Sequence, residues 1–269
     1  VEEPTYRKYF GIEDGEHSTE HSITFRNSEF TGDIIHNSKE AGSMTDFTLV
    51  SEKGNQLDLD LDGTKWTGAT YSTVGTKHER NETLKHSTNL LLANNSHWAV
   101  TDDSFVTTLK ADSSSDVEIL AGTAEKKTML SIDKLDSGVR VNVNDNTSLT
   151  VGKTADPAAA VLADDVPKTY ELDVRFKGLE NADVAVQADN VSTKLVASAN
   201  LRDGHDDDTI IRAMAKAVHT KEETVRFELE QGLFSDGVSG TVSHEGDDTL
   251  QVNKTNRTTN ENALAVADT

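Results

Sequence analysis

The sequence predicts a mainly β protein: an antiparallel β-sandwich or barrel-like domain with a flanking short helix, followed by a second β-rich unit. Three observations carry this expectation. Apolar and polar residues alternate with period two in many short runs, turn residues punctuate the intervals, and helical spacing is confined to two short segments.

The alternating runs come first. Ile23 and Phe25 alternate with Ser22, Thr24 and Arg26, and Leu57, Leu59 and Leu61 with Asp58, Asp60 and Asp62. The pattern recurs at Val139, Val141 and Val143, at Leu172, Val174 and Phe176, and at Val225, Phe227 and Leu229. Each run reads as a strand with one buried and one wet face, the usual signature of an antiparallel sheet. Glu52-Lys-Gly-Asn55, Asp62-Gly63, Asp136-Ser-Gly138 and Asp236-Gly237 supply the turns.

Two segments have helical spacing. Asp208 and Thr209 head a run in which Ile210, Ile211, Met214, Ala217 and Val218 form one apolar stripe, predicting a helix over 209–219. Such a helix is about three turns long and needs a sheet to dock against. Asp156-Pro157-Ala158 opens a second segment that runs to Asp164, with proline at the first helical position. Pro157 and Pro167 bracket an alanine-rich stretch, so 153–167 reads as a linker between a domain at 1–152 and a unit at 168–269. The last part, from Asn253 onward, is polar and weakly patterned and reads as an arm.

Composition narrows the function classes. Asp and Glu number 47 against 26 Lys and Arg, a formal charge of −21 spread along the whole chain. Self-repulsion of that size is relieved by screening, so adaptation to high salt is expected. No dense Lys/Arg stripe is present, which argues against sequence-specific nucleic-acid binding. The absence of cysteine excludes disulfides, Cys-ligated zinc and thiol catalysis. The longest apolar run, Ala158 to Ala163, is far short of the roughly 18 residues of a membrane span. The start, Val-Glu-Glu-Pro-Thr, shows neither a basic region nor an apolar stretch, so no signal peptide is visible: either there was none, or processing has removed it.

Asp58, Asp60, Asp62 and Gly63 match the opening of a calcium loop, and these three carboxylates are the weak metal candidates. The acidic ligand that a full loop needs at position 69 is Ala, which favours a strand ending in an Asp-Gly turn. His205 with Asp206 to Asp208, and His244 with Glu245, Asp247 and Asp248, read as solvated acidic loops. His17 and His21 lack a third ligand nearby. There is no Gly-x-Ser-x-Gly elbow, Walker loop or Gly-x-Gly-x-x-Gly, and aromatics are too few to line a sugar cleft. The expectation is therefore no enzyme and no cofactor. Six Asn-x-Ser/Thr sequons, at Asn81, Asn94, Asn146, Asn190, Asn253 and Asn256, exceed the chance number and are compatible with a glycosylated surface protein.

The opening, Tyr6-Arg-Lys-Tyr-Phe-Gly-Ile-Glu-Asp14 followed by His17 to Arg26, resembles the start of tail-tube (major tail) proteins of tailed viruses. It lacks the Tyr-Gly-Thr-like step usual there, and the chain is longer than a minimal tube subunit. The resemblance implies a β-sandwich or partial barrel with a helix and homo-oligomeric rings. It places the chain in the virion, among other virion proteins, with a halophilic archaeal host implied by the charge. Tyr6, Tyr9 and Phe10, with Asn253, Asn256 and Leu264 of the C-terminal arm, are the expected intersubunit contacts. Competing expectations are a surface-layer or adhesion module at the cell surface, another virion component such as a capsid protein, and a β-scaffold hydrolase.

Overall fold

A computed structural model describes residues 20–38, 56–74, 77–78, 87–152, 168–245 and 249–257. Strands dominate, but the predicted antiparallel sandwich is replaced by two large parallel sheets. The chain winds between them, one strand in each sheet per turn, as a β-solenoid.

Sheet A holds β1 (Glu20–Arg26), β4 (Gln56–Asp62), β8 (Ser87–Ala93), β10 (Ser104–Ala111), β12 (Thr128–Leu135), β14 (Thr147–Val151), β16 (Asp183–Val186) and β18 (Val218–Thr220), in that order. Sheet B holds β2 (Glu29–Thr31), β5 (Lys65–Gly68), β9 (His97–Val100), β11 (Asp116–Ile119), β13 (Val139–Val143), β15 (Tyr170–Phe176), β17 (Val191–Ala197) and β19 (Thr224–Leu229). An antiparallel hairpin, β20 (Val238–Glu245) and β21 (Thr249–Arg257), then extends sheet B alone. A small third sheet of β3 (Ile34–Ser38), β6 (Thr70–Val74) and β7 (Lys77–His78) flanks the first coils.

Parallel sheets usually bury both faces and read as continuous apolar runs, whereas a solenoid buries only the inner face of each sheet. Its strands therefore alternate as antiparallel strands do. The turn signals are ambiguous for a related reason. Two to four residues suffice to turn a corner between the two sheets, so Asp62-Gly63 marks a corner and not a hairpin. Gly63 sits at φ +61°, and an added Cβ would lie 2.7 Å from the Asn27 side chain.

In-register stacking places like residues above one another. One inner column runs Phe30, Trp66, Trp98, Val117, Val141, Val174, Leu195 and Phe227. At its first coils Phe25, Phe30, Trp66 and Trp98 stack with successive centroid distances of 4.4, 5.9 and 4.9 Å. The column ends at Gly240, opposite Phe227, where a Cβ would meet the Asn253 carbonyl oxygen and the Phe227 ring at 2.1 and 2.8 Å.

A second column holds the A-to-B corners together. The Thr64 amide donates to Ser96 Oγ and the Ser96 amide to Ser115 Oγ, both at 3.0 Å, while Ser96 Oγ donates to the Leu61 and Ala93 carbonyls. These hydroxyls are fully buried, and each satisfies backbone groups that a corner would otherwise leave unpaired.

The helix, α1, spans Asp207–Ala217, and its cap is Asp206, whose carboxylate accepts from the Thr209 amide at 3.0 Å. Val218 and His219, read as helical in the sequence, open β18 instead. Ile210, Ile211 and Met214 join the core, and Lys254 of β21 pairs with Asp208 at 2.8 Å. The segment 153–167 lies outside the described residues. The strands on its two sides share both sheets, through Val139↔Leu172 and Ser148↔Asp183.

Candidate functional surfaces

Strand alternation aims one set of side chains outward from sheet B, and stacking turns that set into a charged lattice. His97, Asp116 and Glu118 form its centre. His97 Nδ1 lies 3.1 Å from Asp116 Oδ1, and Nε2 lies 3.7 Å from Glu118 Oε2. Asn142 Nδ2 donates to the other Asp116 oxygen, and Lys177 Nζ reaches Glu118 at 3.0 Å. Arg140 pairs with Asp173 at 3.6 Å and Arg175 with Glu230 at 2.8 Å, while Lys194–Glu228 and Arg226–Glu171 pairs complete the face. Asp173 Oδ1 and Arg175 Nε are buried without a hydrogen-bond partner.

The hydrogen bond to Asp116 raises the His97 pKa against the opposing effect of burial, helped by the charges of Asp116 and Glu118. Burial pushes the Asp116 carboxyl up, but its bonds to His97 and Asn142 outweigh this and hold it below the usual carboxylate range. Both imidazole nitrogens face carboxylates, an arrangement that favours the protonated ring.

The pH consequence follows from the direction of the shift. A raised folded-state pKa contributes stability that is full below the unfolded value and lost as pH climbs through the folded one. The unfolding free energy is thus expected to gain on the order of 1 kcal/mol from this pair on lowering pH from about 8 to about 6. Chemical denaturation at both pH values checks it. The difference should be absent in His97→Gln, and an unchanged pH response in that variant would show that His97 is not its source.

Asp58, Asp60 and Asp62 lie along the outward face of β4, not around a loop. Asp58 accepts from Asn89 Nδ2 at 2.8 Å and from Gln56 Nε2 at 3.0 Å. Asp62 accepts from Asn94 Nδ2 at 2.6 Å, with Arg26 at 3.8 Å. Alternate residues of a strand stand about 7 Å apart, which splays these carboxylates instead of converging them. Among the described residues no group of three or more His, Asp or Glu side chains is placed to hold a metal ion. Of the acidic loop at 205–208, Asp206 caps α1, and Asp207 pairs at 2.7 Å with Arg202, whose side chain is 2% exposed.

Two of the sequons have a backbone role. Asn94 and Asn146 sit at corners with φ of 57° and 54°, a conformation asparagine tolerates better than most residues. Ser96, the third residue of the Asn94 sequon, is buried in the hydroxyl column.

A groove of about 490 Å³ opens where sheet A stops at β18 while sheet B continues into the hairpin. Ala215, Val218 and Leu250 form its apolar floor, and Lys216, His219 and Lys221 stand along its rim. Lys221 also pairs with Asp189 at 2.7 Å, and His219 lies 3.7 Å from Asp183. Among the described residues β18 is the terminal strand of its sheet, so its outer edge carries no neighbour.

Four large apolar side chains are exposed among the described residues. Ile23 and Ile35, at 40% and 46%, belong to the first coil; Leu233 and Phe234, at 80% and 93%, belong to the turn before the last hairpin. Ile23 lies on β1, the first strand of sheet A, Ile35 on β3 of the flanking sheet, and Leu233 and Phe234 on the turn joining β19 to β20.

Of the expected contact residues, Tyr6, Tyr9, Phe10 and Leu264 lie outside the described residues. Asn253 and Asn256 fall in β21, opposite Thr241 and Ser239, so the predicted arm begins as a paired strand. Sequence reasoning missed the His97 cluster and the groove. The available signal was stacking: Thr108 pairs with Asn89 and Asp116 with His97, each nineteen residues apart. Coil insertions elsewhere break that interval. No helix among the described residues is long and apolar enough to cross a membrane. No family model matches this chain, and no curated protein or solved structure matches it.

Proposed function

We propose that this chain is a non-catalytic structural subunit that assembles through the exposed apolar residues of its first coil and of its β19–β20 turn, as a component of a virion. One observation carries the reading: among the described residues, Ile23 on β1, Ile35 on β3, and Leu233 and Phe234 on the β19–β20 turn are large apolar side chains left exposed. Large apolar side chains left exposed on an otherwise acidic surface are candidate association surfaces. Contact between unlike surfaces propagates into rings or filaments, and contact between like surfaces closes as dimers. The saturated pairing of His97, Asp116 and Glu118 supports the non-catalytic part. The charge of −21 supports assembly favoured by high salt. The virion setting, with the tail tube as its narrower form, rests on the resemblance of Tyr6 to Arg26.

The test is mass photometry with negative-stain imaging of the chain titrated from dilute to molar salt. Oligomers that grow with salt are expected. Leu233→Asp with Phe234→Asp should weaken association about tenfold or more, since a desolvated apolar pair becomes two charges. A monomer at every salt concentration would overturn the proposal.

A further inference from the structure

The sequons share one local pattern, and the fold separates them. Glycan transfer to a folded chain requires that the asparagine carboxamide and the hydroxyl two residues on be reached together. At Asn94 the carboxamide Nδ2 is committed to Asp62 at 2.6 Å. The hydroxyl there belongs to Ser96, which has no exposed surface and donates to the Leu61 and Ala93 carbonyls. At Asn146 the main-chain amide donates to the Glu180 carbonyl at 2.8 Å, and the main-chain carbonyl accepts from the Thr128 amide at 3.1 Å. Its side chain accepts from Asn181 at 3.2 Å, so this site is locked between neighbouring coils. At Asn190 the carbonyl accepts from the Tyr170 amide at 2.9 Å, and Val191 beside it is buried.

The Asn253 sequon differs on both counts. Asn253, Lys254 and Thr255 are all exposed. Within β21, Lys254 faces Gly240 and Asn256 faces Ser239, so Thr255 is passed over in the ladder as a β-bulge. Residues two apart in a regular strand stand about 7 Å from one another, too far for a hydroxyl and a carboxamide to cooperate. A bulge bends the strand and re-aims the side chains around the extra residue. Here the extra residue is the one that carries the sequon hydroxyl. Asn81, and Thr258 that completes the Asn256 sequon, lie outside the described residues.

We propose that Asn253 is an N-glycosylation site that takes an oligosaccharide from a polyprenyl-phosphate donor. Its Nδ2 attacks the anomeric carbon of the first sugar. A C–N bond forms, the C–O bond to phosphate breaks and the lipid phosphate leaves. The Nδ2 proton passes to a base of the transferase, and nothing is oxidised or reduced. The inference is independent of the assembly reading.

The test uses the folded, unmodified full chain, incubated with a single-subunit oligosaccharyltransferase and a polyprenyl-phosphate-linked oligosaccharide. Mass spectrometry then maps the glycopeptides. Asn253 is expected to be occupied about tenfold more than Asn94, Asn146 or Asn190, because those sites must first open locally. Asn253→Gln and Thr255→Ala should each abolish transfer there, and Thr255→Ser should retain it. Both substituted side chains are exposed, and circular dichroism checks that the variants fold. Synthetic peptides spanning Asn94 and Asn253 should be modified to similar extents, which assigns the selection to the fold.

No transfer to Asn253 in the folded chain overturns the proposal. Equal occupancy of Asn94 and Asn253 also overturns it, since a buried Ser96 would then be no obstacle. A preference for Asn253 that the peptides reproduce overturns the structural basis, because local sequence alone would explain it.

Discussion

Trp98→Ala is expected to destabilise the protein by about 3–5 kcal/mol, the range for removing a fully buried large aromatic. Trp98 has no exposed surface, stacks on Trp66 at 4.9 Å with rings 5° from parallel, and donates Nε1–H to the Gly68 carbonyl at 3.0 Å. Its removal opens a cavity between the second and third coils, leaves the Gly68 carbonyl unpaired and deprives Trp66 of half its stacking partners. Backbone columns on both sides fix the coil spacing, so collapse around the void is limited. Trp98→Phe keeps a ring in the column and should cost less than half as much. The chain has two tryptophans, so denaturant unfolding of Trp98→Ala followed by fluorescence reports on Trp66 alone. A loss below about 1 kcal/mol would show that the coils repack and that the aromatic column does not set their stability.

Arg202→Met should cost a similar amount for an electrostatic reason. The Arg202 side chain is 2% exposed and ends the short 3₁₀ turn Ala199–Arg202. Nη1 donates to the carbonyls of Glu230, at 2.7 Å, and Asp236, while Nη2 pairs with Asp207 at 2.7 Å. One guanidinium thus ties the β19–β20 turn to the start of α1. Methionine fills much of the volume but leaves two carbonyls and a carboxylate without their donor. Breaking a buried pair from one side typically costs about 3–5 kcal/mol. Arg202→Lys should rescue little, because an ammonium cannot reproduce the planar fork. Calorimetry measures the loss, and hydrogen exchange should localise it to residues 199–237. That turn carries Leu233 and Phe234, so assembly should weaken with it. A stability change under about 1 kcal/mol would mean that solvent replaces the guanidinium without cost.

These two sites were legible to different degrees. The strands around Trp98 lie where β patterning ends in Asn94-Asn95, and a buried role for a tryptophan there is ordinary. That it stacks on Trp66 depends on parallel pairing thirty-two residues apart, which no local pattern encodes. Arg202 gave no signal at all. A lone arginine before an acidic loop reads as solvated, and only the convergence of Glu230, Asp236 and Asp207 makes it a buried clasp. His97 and Asp116 are similarly unremarkable until the coil register sets one above the other.

The amino-acid sequence by itself determined the mainly β character, the one-sided burial of runs such as Leu57–Leu61 and Leu172–Phe176, most of a helix expected over 209–219 and found at Asp207–Ala217, and the acidic composition. Each depends on side-chain alternation, helical spacing or composition, which are local properties. Parallel pairing, the winding between two sheets and the groove beyond β18 were decided only in the tertiary structure. A strand with one wet face satisfies the same pattern in an antiparallel sandwich and in a solenoid. The choice between them lies in which distant backbone accepts its hydrogen bonds, and side-chain alternation is blind to that partner.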